Sequence, residues 1–166
     1  ALRDEAREPE ADPVTLFVVA RAAKRLGELD QAAALYERAL DARPRWPEAA
    51  INLGNVRFLQ GDLDAAERLY TRAIDLDPGI AAAYFSLSRV HYDRVNFTLG
   101  QAARGRALEL DPSLVERYAL AENGASPANQ YVMDAPLGTR DLALLARRSP
   151  EAERLELQLS AALLGP

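Results

Sequence analysis

The chain has 166 residues, enough for one domain with a continuous core, and Ala, Leu, Arg and Glu dominate it. Twenty basic residues stand against 25 acidic ones, a net charge of −5, which argues against a general nucleic-acid binder needing surplus cations for phosphates. No cysteine and a single histidine exclude a disulfide framework, a thiolate metal site and a two-histidine zinc helix.

Residues 1–12 set Arg3 and Arg7 against Asp4, Glu5, Glu8, Glu10 and Asp12, and read as an acidic tail or the frayed end of a preceding helix. Asp12-Pro13 reads as an N-cap followed by proline at the first helical position. The first helix runs to about Leu26, Gly27 turns the chain, and Asp30 caps a second helix that ends before Pro44. A third helix spans Pro47 to Gln60, Gly61 turns the chain, and Asp64 with Glu67 forms a capping box for the fourth. Pro78 follows its last turn, where it cannot continue the helix. The next pair begins at Ala81. There Val95 replaces the turn glycine and Thr98 is the expected cap of a sixth helix, Thr98 to Leu110. Gly100 and Gly105 should make that helix the least stable of the six, by roughly 1–2 kcal/mol of propensity. Ser113-Leu114-Val115-Glu116 opens a seventh helix that stops near Asn123-Gly124. Residues 123–138 are expected to be irregular or extended, and two short helices follow, about 139–148 from the cap Thr139 and about 150–164 from Ser149-Pro150.

Three stretches, beginning at Pro13, Pro47 and Ala81, align at a spacing of 34 residues with no gap. Ala39-Leu40, Ala73-Ile74 and Ala107-Leu108 coincide, and each unit closes on Pro44, Pro78 or Pro112. Small residues recur at Ala20, Gly54 and Ser88, and at Ala32, Ala66 and Gly100, where paired helices must approach closely. Such a period marks stacked helical hairpins, each leaving an apolar face for its neighbour to cover. The domains expected are units 13–46, 47–80 and 81–114, then a capping helix and C-terminal extension over 115–166.

These residues resemble the tetratricopeptide repeat. In the second unit Asn52-Leu53-Gly54-Asn55, Gln60-Gly61-Asp62, Ala66, Tyr70, Ala73-Ile74 and Asp75-Leu76-Asp77-Pro78 occupy the family's signature positions. The first unit matches through Leu16, Gly27, Ala32, Tyr36, Ala39 and Pro44, and the third through Tyr84, Leu87, Ala107, Leu110 and Pro112. The resemblance covers about residues 13–114. It implies an all-α, right-handed α-α superhelix of three helical hairpins, followed by a seventh capping helix and a short irregular segment with two further helices. Asn129 to Leu137 with the helices after it is similar to the tails of some bacterial multi-repeat proteins.

In this family the first helix of each hairpin lines the concave face. Carried across, that implies a partner-binding groove of Phe17, Arg21, Lys24, Arg25, Asn52, Asn55, Phe58, Arg89 and Tyr92. Arg21, Asn55 and Arg89 recur at the same place in each unit and are expected to form one row. The row could hold an extended peptide by its carbonyls or acidic side chains, with the aromatic residues adding apolar contact. Of the family's clamp for a chaperone's C-terminal carboxylate only Asn52 matches, so that ligand is not assigned. His91 is expected to pack, the serines lack a nucleophile-elbow context, and no catalytic residue, metal site or cofactor is assigned.

The expected function is a non-catalytic adaptor or scaffold domain binding a peptide or protein partner. Two alternatives are an oligomerisation module and a substrate-selecting arm of a larger enzyme. Nucleic acid and direct membrane insertion are not expected, since no apolar run reaches the roughly 18 residues a span requires; self-association is open. The chain opens on Ala1 rather than methionine and is read as a fragment of a longer protein, soluble, with the cytoplasm favoured over the periplasm. Arg21→Glu together with Arg89→Glu is expected to abolish partner capture and leave helical content intact.

Overall fold

The computed structural model describes residue 4 and residues 11–114 and 134–164, and only the backbone at 148 and 159–164. Most of the expected acidic tail over 1–12, the body of the seventh helix and most of the irregular segment lie outside the described residues. The helices are α1 (Pro13–Arg25), α2 (Leu29–Ala42), α3 (Pro47–Leu59), α4 (Leu63–Leu76), α5 (Ala81–Asp93), α6 (Phe97–Leu110), α7 (Thr139–Arg148) and α8 (Pro150–Leu164). No strand occurs among the described residues.

Several helix starts carry a side-chain cap. The Asp12 carboxylate accepts the Val14 and Thr15 amides at 3.2 and 3.3 Å, and Pro13 follows with its φ already helical. Ser149 likewise caps α8, its hydroxyl accepting from the Ala152 amide at 3.3 Å, whereas the caps expected for α2, α4, α6 and α7 move. α4 is capped by Asp62, which accepts from the Ala65 amide at 3.0 Å, and α6 by Asn96, which accepts from Leu99 at 3.3 Å. Asp64 and Thr98 lie inside those helices, Asp30 inside α2, and Thr139 is the first residue of α7 behind Gly138.

The shift comes from the turns. After α1 the Gly27 amide donates to the Lys24 carbonyl and the Glu28 amide to that of Ala23, a Schellman closure with Gly27 at φ +79°. Gly61 repeats it at φ +81° after α3. After α5 the same pair of bonds forms, from Val95 to Tyr92 and from Asn96 to His91, but a β-branched residue holds φ +59°. The reversal takes so few residues that the next helix begins two places earlier than the side-chain pattern suggests.

The chain falls into two compact units, Ala1–Arg45 with Pro136–Pro166, and Trp46–Ala135. In the first, α1 pairs with α2 and also packs against α7 and α8, which contact each other. That accounts for α1 being buried on nearly every side, from Val14 through Arg21. In the second, α3 pairs with α4 and α5 with α6, while α5 packs on both α3 and α4. Its core joins Ala50, Ile51, Ala66, Tyr70, Ala83 and Val90.

Small residues set the helix spacing there. A Cβ on Gly54 would lie 2.6 Å from the Tyr70 ring, so α3 and α4 close only over glycine. The last hairpin inverts the pair: Gly100 on α6 lies under the Tyr92 ring of α5, where a Cβ would meet it at 2.7 Å.

Two substitutions should repair the worn third hairpin. Val95→Gly removes the left-handed strain of a β-branched residue, and Gly105→Ala adds a methyl with no heavy atom within 4 Å. Each is expected to raise unfolding stability by about 0.5–1 kcal/mol in urea denaturation. Gly100→Ala, by contrast, should destabilise.

Candidate functional site

The second unit carries a buried polar cluster that begins on α3. Asn52 and Asn55, one turn apart, are both fully buried. Asn52 grips the main chain of Ala135 from both sides: its Nδ2 donates to the Ala135 carbonyl at 2.9 Å, and the Ala135 amide donates to its Oδ1 at 2.7 Å. Nδ2 of Asn55 donates to the Asp134 carboxylate at 3.2 Å. Oδ1 of Asn55 receives the Tyr70 hydroxyl at 2.9 Å and the Ser86 hydroxyl at 3.4 Å. Helices α4 and α5 thus each contribute a hydroxyl that orients one amide of α3.

Residues 134–138 form no helix or strand. The residue before a proline is pushed toward extended backbone, so Pro136 predisposes Ala135 to present amide and carbonyl to a side chain. The Ala135 methyl belongs to the same apolar cluster as Ile51, Tyr70 and Val90. Burial lifts the proton affinity of the Tyr70 hydroxyl above its ordinary range; a hydrogen bond with Ser86 opposes this and the Asp134 charge adds to it. Tyr70 therefore stays a donor toward Asn55.

The first unit has its own polar tie. Arg21 on α1 is 1% exposed and its Nη1 donates to the Glu156 carboxylate on α8, itself 2% exposed. The same carboxylate oxygen accepts the Leu137 amide at 3.3 Å. Arg43, at the end of α2, donates to Asp141 of α7 at 2.7 Å.

The nine groove residues expected from sequence separate accordingly. Asn52 and Asn55 bond the main chain of Ala135 and the carboxylate of Asp134, and those groups belong to the chain itself. Arg21 holds a carboxylate, again the chain's own. Phe17 is a packing residue, its ring edge-on to Tyr36 with centroids 5.6 Å apart, and Lys24 is buried on the same helix. Arg25 is exposed at the end of α1. Phe58 packs against the core of the second unit, and Tyr92 covers Gly100, with its ring centroid 6.3 Å from that of Phe97. Arg89 is half-buried on α5. His91, expected to pack, is buried.

Burial of Arg21 corrects the expectation for its charge reversal. Arg21→Glu would set two carboxylates together out of water, and breaking a buried pair typically costs about 3–5 kcal/mol. Loss of capture by that variant would report loosening of α8, not loss of a groove contact. Sequence reasoning missed Asp134, Ala135 and Glu156 as occupants and Tyr70 and Ser86 as orienting groups. The one local signal was Asp134-Ala135-Pro136, an acid and a small residue before a proline that disfavours helix.

An open cleft of about 430 Å³ lies elsewhere, along α4 among Asp64, Glu67, Arg68 and Asp75. Arg94 bridges Asp64 and Glu67 beside it, and such exposed charge pairs are screened by water.

A family model described as tetratricopeptide repeat matches residues 19–79 and 60–115. No curated protein sequence matches the chain. Among solved structures, the first TPR of Spaghetti (RPAP3), bound to the HSP90 peptide SRMEEVD, is similar at 22% identity; the match covers 60% of this chain and 79% of that one, with a TM-score of 0.59. The Sgt2 TPR domain from Aspergillus fumigatus is 23% identical, with coverage of 90% and 85% and a TM-score of 0.59. A thermophilic TPR protein in Thermus thermophilus is 19% identical, with coverage of 98% and 87% and a TM-score of 0.62. Likeness at such identities establishes the fold alone.

Tyr70→Phe should destabilise the chain by about 1–2 kcal/mol, because it removes a donor from buried Asn55. The same variant tests the hydroxyl's proton. Unfolded tyrosine ionises near its ordinary 10.0 while folded Tyr70 resists, so wild-type stability should fall as pH rises past that value. Urea denaturation at neutral pH and above pH 10 should show a smaller alkaline loss in Tyr70→Phe.

Proposed function

The chain belongs to the tetratricopeptide repeat family, and from that premise we propose a non-catalytic protein-interaction module that holds an extended, acidic segment of a partner against α3. The repeats are 13–46, 47–80 and 81–114, with residues 115–166 as cap and extension. One observation carries the reading: Asn52 offers its carboxamide donor and acceptor to the main chain of a single residue, as a strand neighbour would. Contacts of that kind read main chain, so they supply affinity without demanding one particular side chain. Specificity comes from Asn55, whose Nδ2 is presented to a carboxylate while Tyr70 and Ser86 hold its oxygen.

A fold-level parallel supports this. The Spaghetti domain is bound to a peptide, SRMEEVD, that is itself short and acidic. Arg94 and the cleft along α4 offer no comparable buried donor, and the family's fold is a packing scheme that carries no chemistry of its own.

The test is selection from a random decapeptide library displayed against the immobilised full chain. Peptides with Asp or Glu before a small residue should be enriched, and Asn52→Ala with Asn55→Ala should reduce their retention by about tenfold or more, in line with the loss of two or three buried hydrogen bonds. Absence of enrichment, or enrichment indifferent to both asparagines, would sink the proposal.

A further inference from the structure

The segment seated on Asn52 and Asn55 is part of the same polypeptide. We infer that Asp134-Ala135 is a resident ligand that closes the site in cis, and that the partner displacing it carries an acidic residue followed by a small one in extended form. This deepens the proposed function and rests on it.

Four observations lead there. The two bonds from Asn52 go to backbone atoms, so nothing in them is private to residue 135. The bond from Asn55 goes to a carboxylate, so the preceding residue presents an acceptor there, which Asp134 supplies with its charge. The side chain that follows is 2% exposed and lies in one cluster with Ala50, Ile51, Tyr70, Ala83 and Val90, so a larger one would overpack the core. Residues 134–138 contain no helix, so leaving the site breaks side-chain bonds and no helical ladder.

A segment in the same chain competes with a partner in trans, which must overcome that competition to bind. The apparent affinity of the site is lowered by the fraction of molecules in which it is open. A site open in about one molecule in ten would bind a peptide about tenfold more weakly than the same site emptied.

The probe is a fluorescein-labelled synthetic peptide with the sequence of residues 130–139, titrated into the full chain and read by fluorescence anisotropy. Ala135→Pro removes the amide that donates to Asn52 and crowds a buried position, so it should expel the resident segment. Asp134→Ala removes only the carboxylate that Asn55 holds. Circular dichroism checks that both keep the wild-type helical content. Ala135→Pro is expected to bind the peptide about tenfold more tightly than wild type, and Asp134→Ala about threefold, with Asn52→Ala removing binding in every background. Should Ala135→Pro fail to fold, Asp134→Ala decides alone. Asn52-dependent binding that is equal in wild type and the folded variants would overturn cis closure and leave the groove reading standing. No binding by any folded variant would overturn both.

Discussion

A carboxamide on a buried helix has to find partners, because leaving its donor and acceptor unbonded costs on the order of 1–3 kcal/mol each. Helix α3 carries two such groups, Asn52 and Asn55, both fully buried. Much else in the second unit follows from satisfying them. Asn52 requires a main chain lying alongside α3, and Ala135 supplies it. Asn55 requires donors for its oxygen and an acceptor for its nitrogen, which fixes Tyr70, Ser86 and Asp134. Tyr70 serves packing as well: its ring closes over Gly54 while its hydroxyl reaches Asn55. The residue that sets the spacing of two helices also sets the angle of the amide that bonds Asp134.

Much of the fold was legible from period and punctuation. The interval of 34, the turn glycines and the prolines located all six repeat helices, and Ser149-Pro150 located the last. Caps were harder, since Asp62 and Asn96 compete with plausible neighbours at Asp64 and Thr98, and only the two-residue geometry of the turn decides between them. The site was half legible. Asn52 and Asn55 could be placed by repeat position, but their occupants lie 83 and 79 residues further along, and no local pattern links such distant residues. Likewise Phe17, Lys24 and Arg21 read as groove residues because the cover brought by α7 and α8 onto α1 leaves no trace in the repeat itself.

The third hairpin shows what a repeat can lose and still pair. It exchanges the large and small partners, with Tyr92 over Gly100 in place of Tyr70 over Gly54, and it keeps the turn bonds while Val95 holds a backbone angle suited to glycine. Close packing is preserved as a sum of shapes across two helices, whichever one carries the ring. Propensity and turn chemistry, which act residue by residue, are where the sequence has been allowed to drift.

The first unit joins two stretches far apart in sequence, and Arg21 meets its carboxylate 135 residues further along. On a ribosome α1 leaves the exit tunnel long before α8 has been translated, so for that interval its arginine stays hydrated and its apolar flank exposed. The hairpins of the second unit close over short sequence separations and need not wait. Biosynthesis therefore imposes an order on the molecule: the middle can consolidate first, and the N-terminal hairpin is finished last, when the C-terminal helices arrive to dehydrate it.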